Sequence, residues 1–474
     1  MSVRCRFAPA PSGSMHVGNA RTGLFSWLFA RHHGGTFILR VEDTDASRVT
    51  DEAIDILIDS LRWLGIDWDE GPEVGGPHAP YRQTERLDIY REKADALIAG
   101  GHAYHCFCTK EELEERRAAA MARHEAPGYD GRCRTLTDAE RRAFEDEERP
   151  AALRFHMEDK EYTVHDLVRG DVHFAAGSLR DFVILRSDGS PTYLLAAAVD
   201  DLLMEMTHVI RGEDLLPSTP RQLAILDALG APAHPTYAHL PLIVGADHKP
   251  LSKRHGSVAV EAFREQGYLP EALVNYLALL GWSKDESTTF LSRDELIEAF
   301  DLDRVSHNPA AFDTEKLEWM NGHYIKELQV DDLAARLLPF FSEAGVAVEP
   351  DVLSEAVPLI NERMKFLPEA VELLRFLFTD DIRPNEKAAK LLAKAGPDYV
   401  RAAATALEAA DPWTAEGIMA ALDGCAEAAG LNRTKGWQPV RAAVTGSNIS
   451  PPLPESLQLL GRERTLARVR SATG

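Results

Sequence analysis

Residues 3–45 read "VRCRFAPAPSGSMHVGNARTGLFSWLFARHHGGTFILRVEDTD", and this stretch decides the fold. "VRCRF" (3–7) has the composition of a short strand, and 8–15 is a loop rich in proline and glycine. From about His16 to His33, the apolar residues Val17, Ala20, Leu24, Trp27 and Leu28 recur at helical spacing. Gly34-Gly35 ends that helix, because glycine accepts the left-handed geometry of a helix C-terminus. "TFILRVEDTD" (36–45) then reads as a second strand with an acidic carboxyl end. Strand, helix and strand with short connections form a βαβ unit and predict a parallel sheet. In such sheets ligands sit at the carboxyl ends of the strands, where helix N-termini present bare N–H groups. His16, Gly18 and Glu42 are therefore expected on one rim.

The rest of the chain is organised around that unit. At 474 residues and 45% hydrophobic, it can bury several cores, and its length suggests roughly three domains. No run approaches the ~18 apolar residues of a membrane span. "MSVRCRFAPAP" has no apolar core segment, so no signal peptide is expected. Five scattered cysteines do not suggest a disulfide framework and fit a reducing cytoplasm. A net charge of −23 argues mildly against a nucleic-acid partner, although a basic groove can lie within an acidic total. Residues 101–190 change texture, with "YHCFC", the charged helical stretch "TKEELEERRAAAMARHE" and "GYDGRCR". They read as an insertion between two halves of the sheet. From 193 the α/β pattern resumes, "HLPLIVG" (239–245) is expected as a strand, and beyond about 255 the chain is mostly helical.

"GADHKPLSKRHGS" (245–257) follows that last strand. A cationic loop of this kind is most often solvated surface. Paired with "SMHVGN", it gains a use: a glycine permitting close approach, an imidazole donor and a lysine suit an α-phosphate during loss of pyrophosphate. At this point a resemblance enters. "HVGN" is similar to the HIGH signature and "PLSKR" to the KMSKS signature of class I aminoacyl-tRNA synthetases. "RFAPAPSG", "LRVEDTD", "APYRQTERL", "SDGSPTYLLAAAVDD", "HVIRGEDLLPSTPRQ", "NYLALLGW", "FDTEKLEWMNGHYI" and "PVRAAVTGSNISPPLPESLQLLGRER" resemble the bacterial glutamyl-tRNA synthetases nearly end to end.

The resemblance implies activation of L-glutamate by ATP with Mg²⁺, then transfer to the terminal adenosine of tRNA(Glu), with tRNA needed for the first step. It places Arg6 on the side-chain carboxylate of glutamate, where a guanidinium fork suits the task. Ala8 and Ala10 line the same pocket, Glu42 receives the α-amino group, and Tyr193 and Arg211 complete it, with Arg211 facing the α-carboxylate. A dianionic amino acid needs more than one cation, and Arg6 with Arg211 supplies two. The ATP site is assigned to Ser12, His16, Gly18, Asn19, Ser252, Lys253 and Arg254, with His16, Gly18 and Lys253 serving catalysis. The mechanism is positioning and electrostatics, with no covalent nucleophile on the protein. The chain departs from the family pattern at Ala10, usually serine, at Ala197, often polar, and at Leu215, often aromatic or polar. Pro250 also replaces the first lysine of the second signature, with Lys249 beside it.

Cys106-x-Cys108 and Tyr129-x-x-x-Cys133 fit a structural zinc site, and the resemblance implies Tyr129 as fourth ligand, with His124 or water as alternatives. Three buried or vestigial cysteines are the competing reading. Cys5 and Cys425 read as ordinary buried residues. Arg363, in "LINERMKFLPEA", matches an arginine that reads the third anticodon base, or else is a helix-surface arginine. The late elements "LNRTKGW" and "GRERTLARVR" are expected at tRNA phosphates. A glutaminyl-tRNA synthetase would carry a β-barrel anticodon region, whereas this chain stays helical. The expected fold is an α/β Rossmann-like parallel-sheet catalytic domain with an α+β insertion, followed by an all-α anticodon-binding half. The domains are drawn at 1–85 with 193–250 (catalytic), 86–192 (acceptor-end-binding insertion), 251–330 (stem contact), 331–385 and 386–474 (anticodon binding). A cytoplasmic monomer is expected, with tRNA(Glu) as partner and tRNA(Gln) as a second one left open.

Overall fold

The computed structural model describes residues 2–11, 13–44, 49–124, 128–252 and 258–473. It divides into two compact units, one of Met1–Phe263 with Leu273–Asp313 and the other of Arg264–Ala272 with Thr314–Gly474.

The first unit is built on a six-stranded sheet. In chain order its strands and those of its smaller sheets are β1 (Arg4–Phe7), β2 (Thr36–Leu39), β3 (Ala103–Cys106), β4 (Ala152–Phe155), β5 (Tyr162–Asp166), β6 (Gly170–Phe174), β7 (Phe182–Leu185), β8 (His208–Gly212), β9 (Thr236–Leu240), β10 (Ile243–Val244) and β11 (Ala310–Ala311). The large sheet has the order β2-β1-β8-β9-β5-β6; its first five strands are parallel, and β6 runs antiparallel to β5. The opening stretch folds as the βαβ unit its periodicity predicts, with helix α1 (Val17–His32) between β1 and β2. Val17, Ala20, Leu24, Trp27 and Leu28 all face the core. Gly34 has φ +59°, and a Cβ at Gly35 would lie 2.3 Å from the Val3 carbonyl oxygen, so glycine is required at that turn.

Two strand expectations change. β2 stops at Leu39; Arg40, Val41 and Glu42 continue as an irregular run bonded to Phe7, Tyr81 and Pro9. "HLPLIVG" is not one strand: β9 begins earlier, at Thr236, and ends at Leu240, and β10 is a separate pair of residues. Pro241 lies between them and has no N–H for a ladder, while its carbonyl accepts from the buried Arg21.

The 101–190 segment forms a three-stranded antiparallel sheet in the order β3-β4-β7. It also sends the β5–β6 hairpin into the large sheet, where Asp166 pairs with Tyr237. Its charged helix, Lys110–Ala122, starts at a capping box between Thr109 and Glu112 and buries no residue. The core beneath the small sheet, including Leu153, Phe155, Phe182 and Ile184, is shared with Leu195, Ala196 and Ile225 of the following helices.

The second unit is all helical. A continuous apolar core runs through it from Leu333, Leu337 and Phe341 to Leu457, Leu466 and Val469. No described helix is long and apolar enough to cross a membrane.

Candidate active site

At the carboxyl ends of β1 and β8, a cleft of about 680 Å³ opens, within the size range of small-molecule sites. Its lining gathers most of the residues singled out in the sequence: Arg6, Ala8, Ala10, His16, Gly18, Asn19, Glu42, Tyr193, Arg211 and Leu215. Ser12, Lys253 and Arg254 lie outside the described residues.

His16 caps α1. Its backbone is extended (φ −68°, ψ 140°), and its Nδ1 accepts a hydrogen bond from the Gly18 N–H at 3.0 Å. A Cβ at Gly18 would meet that Nδ1 at 3.1 Å, so glycine keeps the turn open. With Nδ1 accepting, the neutral ring carries its proton on Nε2. Burial holds His16 below the usual imidazole range, opposed by a backbone hydrogen bond with Leu251. The positive end of the α1 dipole and a neutral imidazole N–H donor suit a phosphate oxygen.

The two signature segments meet here. Val17 N–H donates to the Val258 carbonyl at 2.8 Å and Val260 N–H to that of Met15 at 2.9 Å, while Glu261 Oε1 accepts from Met15 N–H at 3.0 Å. On the other flank, Leu251 N–H returns to the Ile243 carbonyl at 2.9 Å. The 258–261 flank is thus held on the His16 turn, and Leu251 on β10. Lys249 is exposed, and Ser252 is half-buried.

Beneath the cleft lies a buried charge network that periodicity did not reveal. Arg6 Nε donates to Asp201 Oδ1 at 3.1 Å. Arg40, fully buried, donates to the same oxygen at 2.7 Å and to Glu42 Oε1 at 3.1 Å. Asp200 accepts from Arg86 at 2.7 Å, Gln83 at 2.9 Å and the Tyr90 hydroxyl at 2.8 Å. Arg6, Arg40 and Arg86 face Asp200, Asp201 and Glu42, so three cations meet three carboxylates. Burial is the largest influence on Asp201, yet Arg6 and Arg40 outweigh it and hold its carboxyl below the usual range. For Glu42 burial wins and raises it. The signal was present as Arg40 in the apolar run "FILRV" and as the acidic pair in "AAAVDD". Asp43, next to Glu42, braces the turn: it accepts from the Thr84 N–H at 2.8 Å and hydroxyl at 2.7 Å.

Arg211 sits at the end of β8, buried among polar partners. It donates to the Tyr193 hydroxyl at 3.0 Å, Thr219 Oγ1 at 2.8 Å and His239 Nε2 at 3.1 Å. Arg21, absent from the sequence reading, also lines the cleft. Its charge is met by the carbonyls of Leu280 and Pro241, and burial lowers its pKa to about 10.

Away from the cleft, Cys106, Cys108 and Cys133 bring their sulfurs within 4.8 Å of one another. The Tyr129 hydroxyl is 3.4 Å from Cys106 Sγ and 3.7 Å from Cys108 Sγ, and Cys108 and Cys133 are 3.5 Å apart. A tetrahedral zinc with sulfur ligands at about 2.3 Å separates those ligands by about 3.8 Å, so the donor set fits in both chemistry and spacing. His124 is exposed and stands outside this group. Cys5 is buried as expected, whereas Cys425 is only half-buried.

In the helical unit, Arg363 ends a short 3₁₀ turn, is exposed, and donates to the Ser450 carbonyl at 3.1 Å. Three arginines of "GRERTLARVR" have partners inside the unit. Arg468 donates to the Phe376, Val444 and Thr379 carbonyls, Arg464 to those of Leu377 and Thr379, and Arg462 to that of Ala410. These arginines satisfy backbone groups within the unit.

A parallel sheet whose strand ends carry this double-signature cleft, together with a helical second unit, defines a class I tRNA synthetase. The catalytic-domain model of the class I tRNA synthetases (E and Q) matches residues 2–319, and an anticodon-binding-domain model matches residues 332–473. The chain is 49% identical to the glutamate–tRNA ligase of a Nocardioides species, over all of this chain and 99% of that one. It is 47% identical to that of Mycolicibacterium smegmatis, over 99% and 98%. A crystal structure of a glutamate tRNA ligase from Elizabethkingia meningosepticum, in complex with its amino acid, superposes with a TM-score of 0.89 at 35% identity, covering 100% of this chain and 99% of that one. The chain belongs to the glutamate–tRNA ligase family of class I tRNA synthetases.

Proposed function

We propose that this chain activates L-glutamate with ATP to glutamyl-adenylate and esterifies it to the terminal adenosine of tRNA(Glu). The observation that carries the reading is the pairing of two buried arginines, Arg6 and Arg211, with Glu42 in one cleft beside the His16 turn. Two fixed guanidinium groups suit the two carboxylates of glutamate, and a carboxylate at Glu42 suits its ammonium group. Arg6 takes the side-chain carboxylate, Arg211 the α-carboxylate and Glu42 the amino group. Ala8 and Ala10 close the pocket wall.

His16 and Asn19 hold the triphosphate at the start of α1, Gly18 leaves room for the adenine, and Ser252, Lys253 and Arg254 of the second signature serve the same phosphates. The attacking group is the substrate's own carboxylate. The protein aligns it and stabilises charge developing on the α-phosphate and leaving pyrophosphate. Mg²⁺ accompanies ATP and neutralises its phosphates.

Cys106, Cys108, Cys133 and Tyr129 hold a structural Zn²⁺ in the inserted segment, which binds the acceptor end. Arg154, stacked 3.8 Å over the Tyr129 ring, adds a cation beside the thiolates. Zinc analysis of the purified protein tests this: about one equivalent is expected, lost in Cys133→Ser. The helical unit reads the anticodon with Arg363, and the enzyme works as a monomer in the cytoplasm.

The reaction is tested by charging purified tRNA(Glu) and tRNA(Gln) transcripts with glutamate, with and without each component. Charging of tRNA(Glu), with no pyrophosphate exchange until tRNA is added, is expected. Charging of both transcripts would make the enzyme non-discriminating and remove Arg363 as the basis of choice. Charging of neither would overturn the reading.

A further inference from the structure

Behind Arg211 lies a row of buried side chains that the reaction described above does not use. β8 and β9 run side by side in a register that sets Arg211 next to His239. β5 adds Asp166 on the far side of β9. Arg211, His239 and Asp166 are 3%, 0% and 6% exposed. Arg211 Nε–H donates to His239 Nε2 at 3.1 Å, and His239 Nδ1 stands 2.6 Å from Asp166 Oδ2.

Arginine has no acceptor, so Nε2 must be the bare nitrogen and Nδ1–H must donate to Asp166. Thr219 Oγ1 accepts from Arg211 Nη2 at 2.8 Å and lies 3.1 Å from the same Nε2. Asp166 is itself anchored by the N–H groups of Val168 at 3.0 Å, Arg169 at 2.8 Å and His239 at 3.1 Å. Burial holds His239 below the usual imidazole range, and Arg211 acts in the same direction against Asp166. A protonated ring would aim a second donor at Arg211.

We propose that Asp166 and His239 are positioning residues that lock the Arg211 guanidinium toward Tyr193 and the cleft, so that affinity for the substrate's carboxylate depends on them. The inference rests on the glutamate reading of the cleft. It also gives the β5–β6 hairpin a role: the inserted segment supplies the carboxylate that fixes a binding residue of the parallel sheet.

The test combines kinetics with the state of the ring. Asp166→Asn keeps the side-chain shape but offers an amide N–H to Nδ1, which moves the ring proton to Nε2, facing Arg211. His239→Phe keeps the ring packed on Tyr237 and removes the acceptor, whereas His239→Gln restores an acceptor near the Nε2 position. Nitrogen NMR of ¹⁵N-histidine-labelled protein reads the tautomer, with the His239 signals assigned by their loss in His239→Gln. The wild type is expected as the Nδ1–H tautomer and Asp166→Asn as Nε2–H. The KM for glutamate should rise about tenfold or more in Asp166→Asn and His239→Phe, as for loss of one charge-assisted hydrogen bond. The KM for ATP should stay unchanged, and His239→Gln should recover most of the loss. Glutamate KM values within twofold of wild type in both folded variants, or an equal rise in the KM for ATP, would overturn the proposal. Should the wild type activate no glutamate, the functional reading falls by itself. An Nε2–H ring in the wild type would then overturn the lock independently.

Discussion

Buried arginines serve opposite purposes in the two units of this molecule. In the sheet unit, Arg6, Arg40 and Arg86 meet the carboxylates of Asp200, Asp201 and Glu42. In the helical unit, Arg468 is also buried, yet it meets three backbone carbonyls. The first arrangement is costly to desolvate and persists only because each charge meets an opposite one beneath the cleft. The second closes helix ends whose carbonyls have no intrahelical partner. Arg40 thus faces charge beneath the cleft, and Arg468 faces backbone between helix ends.

The largest effect should come from breaking the charge network. Arg40→Met leaves Asp201 and Glu42 without their central partner and should destabilise the sheet unit by roughly 3–5 kcal/mol, read by urea unfolding. Arg468→Ala should cost less, about 1–3 kcal/mol for the freed carbonyls, with the glutamate KM unchanged. If Arg468→Ala altered glutamate affinity while Arg40→Met did not, the contrast between the units would fail.

A pH series sharpens the same contrast. Asp201 has its folded pKa depressed by Arg6 and Arg40, so its contribution is present above the unfolded carboxylate value and is lost as pH falls through the folded one. Asp201→Asn should therefore be clearly less stable than wild type at neutral pH, and the difference should shrink below about pH 4. A difference independent of pH would show that Asp201 acts by packing alone. The smallest effect belongs to Cys425→Ser, at a half-buried position outside the cysteine cluster; thermal melting should place it within about 0.5 kcal/mol of wild type.

Much of this was legible in the sequence, for identifiable reasons. The βαβ unit followed from five apolar residues at helical spacing between two short strands, and Gly34-Gly35 marked the turn. Of the cleft, His16, Gly18 and Glu42 followed from the βαβ pattern, whereas Arg6, Tyr193 and Arg211 followed only from the family resemblance. What escaped was long-range. Asp201 meets Arg6 across 195 residues and His239 meets Asp166 across 73, and no local pattern reports a pairing that only sheet order creates. The β5–β6 hairpin escaped likewise, because its strands looked like part of the insertion while their partner was β9. The basic stretch 461–470 shows another limit: arginine content predicts charge, but not that Arg468 and Arg464 also bond backbone carbonyls.

The most direct measurement is charging of tRNA(Glu) with glutamate, glutamine and aspartate in parallel, with ATP and Mg²⁺ in excess. The account predicts that glutamate alone is attached, because two fixed guanidinium groups need two carboxylates at the spacing glutamate provides. Attachment of glutamine at a comparable rate would contradict it, since Arg6 would then not be selecting the side-chain carboxylate.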